Sequence, residues 1–191
     1  MTKPKEDIIF GINKEMFVFK MAQDFFEQGI KSVKEAHPPR FRLKNETPWK
    51  ISLPICLLSF SLELALKGFL TNDVKQKLMS DKKGHKLAIL YKNIPLDSRI
   101  AIENHFETCR AHNYYFFNII YRSRNQQSKL PVESPTREKI LDTLERCNDA
   151  FIQFRYLHEF KNSVYYFDFN TIIKLIHSCL AVKANDLGVK P

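Results

Sequence analysis

The sequence contains little glycine, with five glycines in 191 residues. A sandwich or barrel of many short strands needs glycine at its turns, so this scarcity favours helices joined by short loops. The sequence also lacks a glycine-rich phosphate loop, a Gly-x-Ser-x-Gly elbow and a His-Glu-x-x-His pair. These absences argue against the common nucleotide hydrolases, esterases and metalloproteases.

Cysteine pairs and long apolar runs are missing as well. The four cysteines are scattered and include no Cys-x-x-Cys pair. The first residues lack the apolar core of a signal peptide, and the longest mainly apolar run, residues 51–62, is too short to span a bilayer. We therefore expect a cytoplasmic protein with reduced thiols and no membrane insertion.

Positive charge is in excess. Thirty Lys and Arg residues against 21 Asp and Glu residues give a formal charge of +9 and a pI near 9.4. Such an excess attracts polyanions, namely RNA, DNA, nucleotides or an anionic membrane surface. With 44% hydrophobic residues, including 16 Phe, the chain can build one core, so we expect a single domain over residues 1–191.

Apolar spacing predicts an all-α fold of five or six helices. Steps of three and four residues indicate a first helix over about 13–36 and a last helix over about 171–183. The second helix, about 53–71, is apolar at most positions, so we expect it at the centre of the bundle. The remaining predicted helices are a short one at 86–93, one that starts at 97 or 98, and one that starts at 134 and extends to about 154.

The other segments are predicted to connect these helices. Residues 72–86 form a charged connector, and the aromatic run 114–121 continues or restarts a helix. Residues 122–134 are polar and predicted as a loop. Residues 155–169 are predicted as an ordered excursion that can include a short extended piece.

Polar residues in the second helix are ordered. Ser59, Glu63 and Lys67 are spaced by four residues and lie on one stripe. Glu63 preceding Lys67 at this spacing is the favourable orientation for an ion pair. The pair could line a pocket that receives a phosphate, closed by His85, or it could seal the bundle while His85 bonds a carboxylate or caps a helix.

Three short motifs occur in a fixed order. They are Ser61-Leu62-Glu63-Leu64-Ala65-Leu66-Lys67-Gly68, then Gly84-His85-Lys86-Leu87, and late in the chain Phe154-Arg155-Tyr156. Their order and spacing resemble those of uncharacterised bacterial HEPN-like proteins, with a family-like core over about residues 50–183. The resemblance implies an up-and-down helical bundle that is often a homodimer. The superfamily includes metal-independent ribonucleases of toxin–antitoxin and antiphage systems, nucleotide-binding partners of nucleotidyltransferases, and non-catalytic members.

The resemblance also suggests catalytic candidates. Ribonucleases of this superfamily carry an Arg and a His separated by four to six residues, and Arg99 and His105 match once. An imidazole can move a proton at the 2′-hydroxyl while a guanidinium holds the phosphate. Six residues along a continuous helix place two side chains about 120° apart, so the sequence leaves ribonuclease activity open.

The candidate ligand-binding residues are those of the three motifs. Glu63, Lys67 and His85 are the candidate phosphate-binding group. Arg155 and Tyr156 could bind a nucleotide through phosphate and base stacking, or Arg155 could fix the irregular segment that follows it.

No cofactor or metal is predicted. His105, Cys109 and His112 follow at steps of four and three and would present three zinc ligands on one helical face, but no fourth ligand is evident. His177 lies among apolar residues and is predicted to be a core or interface histidine.

Two functional hypotheses follow. The first is a HEPN-like homodimer that binds RNA or a nucleotide, with a toxin–antitoxin or antiphage system as one setting that the resemblance implies. The alternative is a non-catalytic interaction module whose partner is a protein encoded by a neighbouring gene.

Overall fold

The computed structural model describes residues 14–36, 48–81, 83–109, 118–122, 128–129, 136–155 and 164–189. Within these ranges, side chains are described except at 36, 48–51, 118–122, 128–129, 153–155 and 164–166. The helices in this part of the chain are α1 (Lys14–Ala36), α2 (Pro48–Lys67), α3 (Asn72–Ser80), α4 (Leu87–Lys92), α5 (Leu96–Thr108), α6 (Lys139–Arg146), α7 (Ala150–Arg155) and α8 (Phe169–Asp186). The strands are β1 (Asn118–Arg122), β2 (Ser128–Lys129) and β3 (Val164–Asp168).

Helix α2 is the centre of the structure. It contacts α1, α4, α7 and α8, and between residues 52 and 67 only Leu53 is exposed. Leu58, Leu62 and Leu66 are 0% exposed and lie one turn apart. A helix that is apolar on most sides is stable only when neighbours cover most sides. The prediction of a central second helix is therefore confirmed.

The contact between α1 and α2 is close. A Cβ atom at Gly29 would lie 2.8 Å from Cδ2 of Leu58, so only glycine fits at this crossing. Further along, the Oγ atom of Ser61 donates a hydrogen bond of 2.7 Å to the backbone oxygen of Ala22. These two contacts fix the position of α1 along α2.

Helix α8 is buried along most of its length and packs against α5 and α2. Asp168 caps its N-terminus, because the side chain accepts hydrogen bonds from the Thr171 amide at 3.0 Å and from the Thr171 hydroxyl at 2.8 Å. Asp168 is also the last residue of β3, so strand and helix are joined without a loop.

The described strands form one small antiparallel sheet in the order β2-β1-β3. Asn118 pairs with Asp168 and Arg122 with Val164, while Ile119 pairs with Lys129 on the other side. β3 contacts α6 and α7, so the sheet lies against the helical body.

The described structure is mostly helical, as predicted, but it differs from an all-α bundle of five or six helices in three places. Residues 118–121, expected in a helix, and residue 122, expected in a loop, form β1, which is rich in the isoleucine and tyrosine that favour strands. The charged segment expected as a connector contains α3, whose N-terminus is capped by the Thr71 side chain. The polar loop expected at 122–134 contributes the two-residue strand β2.

The single helix predicted from residue 134 is divided into α6 and α7 by a turn at 147–149. Two side chains of this turn, those of Asn148 and Asp149, contact residues at the start of α4. The Oδ1 atom of Asn148 accepts a hydrogen bond of 2.8 Å from the Ala88 amide, and Asp149 forms an ion pair with Lys86. Asn148 thus supplies the cap that Lys86, at the N-cap position of α4, does not provide.

None of the described helices combines the length and apolar composition that crossing a bilayer requires.

The central position of α2 generates a stability prediction. We expect Leu66→Ala to lower the free energy of unfolding by about 2–5 kcal/mol, because it removes a fully buried side chain and leaves a cavity. Leu53→Ala is the matched control, since Leu53 lies on the same helix but is 57% exposed, and its effect should stay below about 0.5 kcal/mol. Urea denaturation of both variants measures the difference. Equal effects would mean that α2 is not the packed centre.

Candidate anion-binding site

The candidate phosphate-binding residues meet at one carboxylate oxygen. They are Glu63, which supplies this oxygen, Lys67 and His85. The Oε1 atom of Glu63 lies 2.6 Å from Nζ of Lys67 and 2.9 Å from Nδ1 of His85. Glu63 is 3% exposed, whereas the side chains of Lys67 and His85 are 22% and 58% exposed. The carboxylate therefore lies inside the protein and its two partners lie progressively nearer to solvent.

The turn that carries His85 is held by its own backbone. The Lys83 amide donates to the Leu78 oxygen at 2.9 Å, and the Lys86 amide donates to the Lys83 oxygen at 3.1 Å. Gly84 is buried, and a Cβ atom there would lie 2.7 Å from the sulfur of Met79. The Gly84-His85 turn thus packs closely against α3 and holds the imidazole beside α2.

The hydrogen bond to Glu63 determines which ring nitrogen of His85 carries a hydrogen. A carboxylate oxygen only accepts hydrogen bonds, so Nδ1 of His85 carries the hydrogen that points to Glu63. In the neutral ring Nε2 keeps a lone pair, and in the protonated ring it donates. His85 can therefore present a donor to an anion only when it is charged.

Lys67 is less available to a ligand than the sequence suggested. Its ammonium group already pairs with the buried Glu63 carboxylate at 2.6 Å. This contact matches the ion pair that the four-residue spacing predicts. The geometry fits the structural alternative for Glu63 and Lys67 and leaves a ligand role to the residues around them.

A wider group of lysines surrounds this pair. Lys14 begins α1, Lys67 ends α2, Lys75 lies in α3 and Lys183 lies in the last turn of α8. These four residues are called the lysine cluster below. The proximity of these lysines affects the pKa of Lys75. Burial is the largest cause that lowers this pKa, and the positive charges of Lys14, Lys183 and Lys67 lower it further. Glu15 acts in the opposite direction and raises the pKa of Lys75.

Two carboxylates partly neutralise the lysine cluster. Glu63 pairs with Lys67, and the Nζ atom of Lys183 lies 3.3 Å from Oε2 of Glu15. Two carboxylates against four ammonium groups leave two positive charges in excess. Lys67 and Lys183 also lie in the last turns of helices, where a positive charge is stabilised by the helix dipole. Lys14 and Lys75 are the members that lie outside these two ion pairs, although the charge of Glu15 also acts on Lys75.

The catalytic candidates Arg99 and His105 lie on one helix, α5, but have different neighbours. The Nε atom of Arg99 is 4.0 Å from Oε1 of Glu103, which also accepts a hydrogen bond of 2.8 Å from the Tyr91 hydroxyl. His105 instead lies with Nδ1 3.2 Å from Oγ of Ser178 in α8. Arg99 and His105 are thus not brought to a common partner, and ribonuclease activity stays a prediction.

Arg99 lines an open cleft of about 500 Å³ between α4, α5 and α6. Arg137, which also lines this cleft, forms an ion pair with Glu103. Burial and the hydrogen bond to Glu103 raise the pKa of Tyr91 far above its ordinary value, so its hydroxyl remains a donor. Each charged group here has a partner, and the cleft carries little net charge.

The other predicted residues are only partly described. Arg155 is the last residue of α7, and its side chain lies outside the described part. Tyr156 and His112 lie outside the described residues. Sequence reasoning missed the lysine cluster as a group, because its members come from four helices that meet only in the folded chain.

No family model, no curated protein and no solved structure matches this chain.

The contact at Glu63 generates a prediction of its own. We expect Lys67→Met to lower the free energy of unfolding by about 1–3 kcal/mol, because the buried carboxylate loses a charged hydrogen-bond partner. Lys77→Met is the control, since Lys77 is exposed on α3, and its effect should lie within about 0.5 kcal/mol of zero. Thermal and urea unfolding measure both. A loss no larger than that of the control would show that Glu63 does not depend on Lys67.

Proposed function

We propose that this protein is a HEPN-like helical protein that binds RNA through its phosphates at the lysine cluster. The excess positive charge of the cluster, four lysines against Glu63 and Glu15, is the observation that carries the proposal. The formal charge of +9 over the whole chain adds a field of the same sign.

The HEPN-like part of the proposal is supported by one contact. Glu63 belongs to the first motif of the resemblance and His85 to the second, 22 residues further on. Their hydrogen bond of 2.9 Å joins the two motifs in space. This contact gives a physical reason for the two motifs to occur together in one sequence.

RNA is favoured over other anions because the charge is distributed. Lysine acts as a point charge toward phosphate and does not select one geometry, as a paired guanidinium does. Lys14 and Lys75 lie on different helices, outside the two ion pairs of the cluster, and charges spaced in this way suit a chain of phosphates. A free nucleotide offers the same phosphate chemistry at a single point and is the second ligand to test.

A protein partner is the second candidate function. Leu96 and Ile100 lie one turn apart on α5, are 59% and 40% exposed, and adjoin the cleft that contains Arg99. Exposed apolar residues rimmed by charged groups are typical of protein interaction sites.

Homodimer formation and a role in a toxin–antitoxin or antiphage system belong to the proposal as predictions.

The RNA-binding proposal predicts a difference between two lysines of one helix. We expect Lys75→Gln to weaken binding of a fluorescein-labelled single-stranded RNA by about 1 kcal/mol, roughly fivefold. The slope of log K against log salt should become shallower by about 0.7 for the lost phosphate contact. Lys77→Gln is the matched control, because Lys77 has the same charge on α3 but does not belong to the lysine cluster. Fluorescence anisotropy over a salt series measures both constants.

Three results would contradict the proposal. They are undetectable binding at low salt, binding that does not depend on salt, and equal losses in the two variants. Displacement of the RNA by ATP at a concentration comparable to the RNA dissociation constant would identify a nucleotide as the preferred ligand. Weak binding that is equal in both variants would favour the protein partner.

A further inference from the structure

We propose that His105, Cys109 and His177 form a binding site for a zinc ion. One ligand atom from each of these side chains lies within 4.8 Å of the other two. The Sγ atom of Cys109 is 3.4 Å from Nδ1 of His177, and the two imidazole rings are 5.6 Å apart between centroids. Within the described residues, this is the group of histidine, cysteine and acidic side chains whose geometry suits a metal ion.

Two packed helices bring the three residues together. His105 and Cys109 are one turn apart at the end of α5, where the Cys109 amide donates to the His105 oxygen at 2.7 Å. His177 comes from α8, which packs against α5. Phe106 and Ile176, each adjacent in sequence to a member of the group, are 0% exposed and anchor the two helices. His105 and His177 therefore project from two packed helices, and Cys109 directly follows the last residue of α5.

The separations fit tetrahedral zinc. Zinc–nitrogen distances near 2.05 Å and zinc–sulfur distances near 2.3 Å place tetrahedral ligand atoms about 3.3–3.6 Å from one another. The Cys109–His177 separation of 3.4 Å already has this value. The third atom, within 4.8 Å, needs to move inward by up to about 1.5 Å, which rotation of an imidazole ring can provide.

The surroundings of His105 prepare one of its nitrogens for a metal. Ser178 donates its hydroxyl hydrogen to the Lys174 oxygen at 2.9 Å, so its Oγ atom accepts from Nδ1 of His105 at 3.2 Å. Nε2 of His105 is then the nitrogen with the free lone pair. A hydrogen bond to the second ring nitrogen that fixes the tautomer is a regular feature of histidines that bind metals.

The donor set comprises two imidazoles, which coordinate as neutral rings, and one thiol, which coordinates as a thiolate. Burial lowers the pKa of His105. Burial raises the pKa of Cys109, while the charge of Lys174 acts in the opposite direction. Zinc binding exchanges the thiol proton for a zinc–sulfur bond and releases that proton to solvent, with no change in oxidation state. The resulting positive charge is repelled by Lys174, so we expect weaker binding than at a site with two thiolates.

Thiolate and imidazole ligands favour zinc over magnesium or calcium, which prefer oxygen. His177 is exposed, so solvent reaches the group and water can take the fourth position. Three protein ligands and a water molecule are the arrangement of zinc sites that keep an open position.

The test uses the untagged full-length protein. We expect one zinc ion per chain by elemental analysis after dialysis against zinc. With cobalt in place of zinc, we expect thiolate-to-cobalt charge-transfer absorption together with the visible bands of tetrahedral cobalt. Bound zinc should also raise the unfolding temperature, because it binds the folded chain.

Matched variants identify the ligands. Cys109→Ser should abolish the charge-transfer absorption, and His177→Ala should reduce zinc affinity at least tenfold, because each removes one of three ligands. Cys56→Ser and His85→Ala are the controls for a partly buried cysteine and an exposed histidine outside the group, and both should keep wild-type stoichiometry. Circular dichroism confirms that each variant is folded.

Absence of bound zinc in the wild-type protein would overturn the proposal. So would charge-transfer absorption that persists in Cys109→Ser, or a loss of zinc that is as large in the controls as in the ligand variants. The proposal is independent of RNA binding, because none of its three residues belongs to the lysine cluster. A failed RNA titration leaves the zinc result unchanged, and the reverse also holds.

Discussion

The burial of α2 is the constraint on which the other features depend. A helix satisfies its own backbone hydrogen bonds, so an apolar helix can be enclosed on all sides at low polar cost. The few polar side chains that enter the core with it need partners, and Ser61 finds one in the backbone of α1. Glu63 finds two, Lys67 and His85, at the edge of the core. The candidate anion-binding site thus lies where the C-terminal end of α2 reaches the edge of the core.

Local sequence patterns predicted the helices in which buried residues recur with the helical period. The first and last helices were predicted within three residues of their bounds because apolar residues recur along them at three- and four-residue steps. The second helix was predicted at about 53–71 and lies at Pro48–Lys67. Helix α3 was missed because one fully buried side chain, Leu78, anchors a mainly charged segment. Strand β1 was missed because its partner β3 begins 42 residues after β1 ends, and such a pairing has no local signature.

The same distinction between local and long-range contacts applies to the two candidate sites. Glu63 and Lys67 were predicted to pair because four residues on a helix bring side chains together, and their distance of 2.6 Å confirms the pair. The contact between Cys109 and His177 joins residues 68 positions apart on two helices. The sequence offered His112 as a neighbour of Cys109 by spacing alone, and no local rule could have selected His177 from α8.

Helix α8 connects the two sites and explains why both depend on the same core. Its N-terminus is fixed by the Asp168 cap, and most of its length is buried against α2 and α5. His177 projects from its middle and Lys183 from its last turn, six residues or about 9 Å further along. Because a buried helix cannot slide without opening the core, the two groups are held at a constant separation. Neither proposed ligand therefore requires the other group to move.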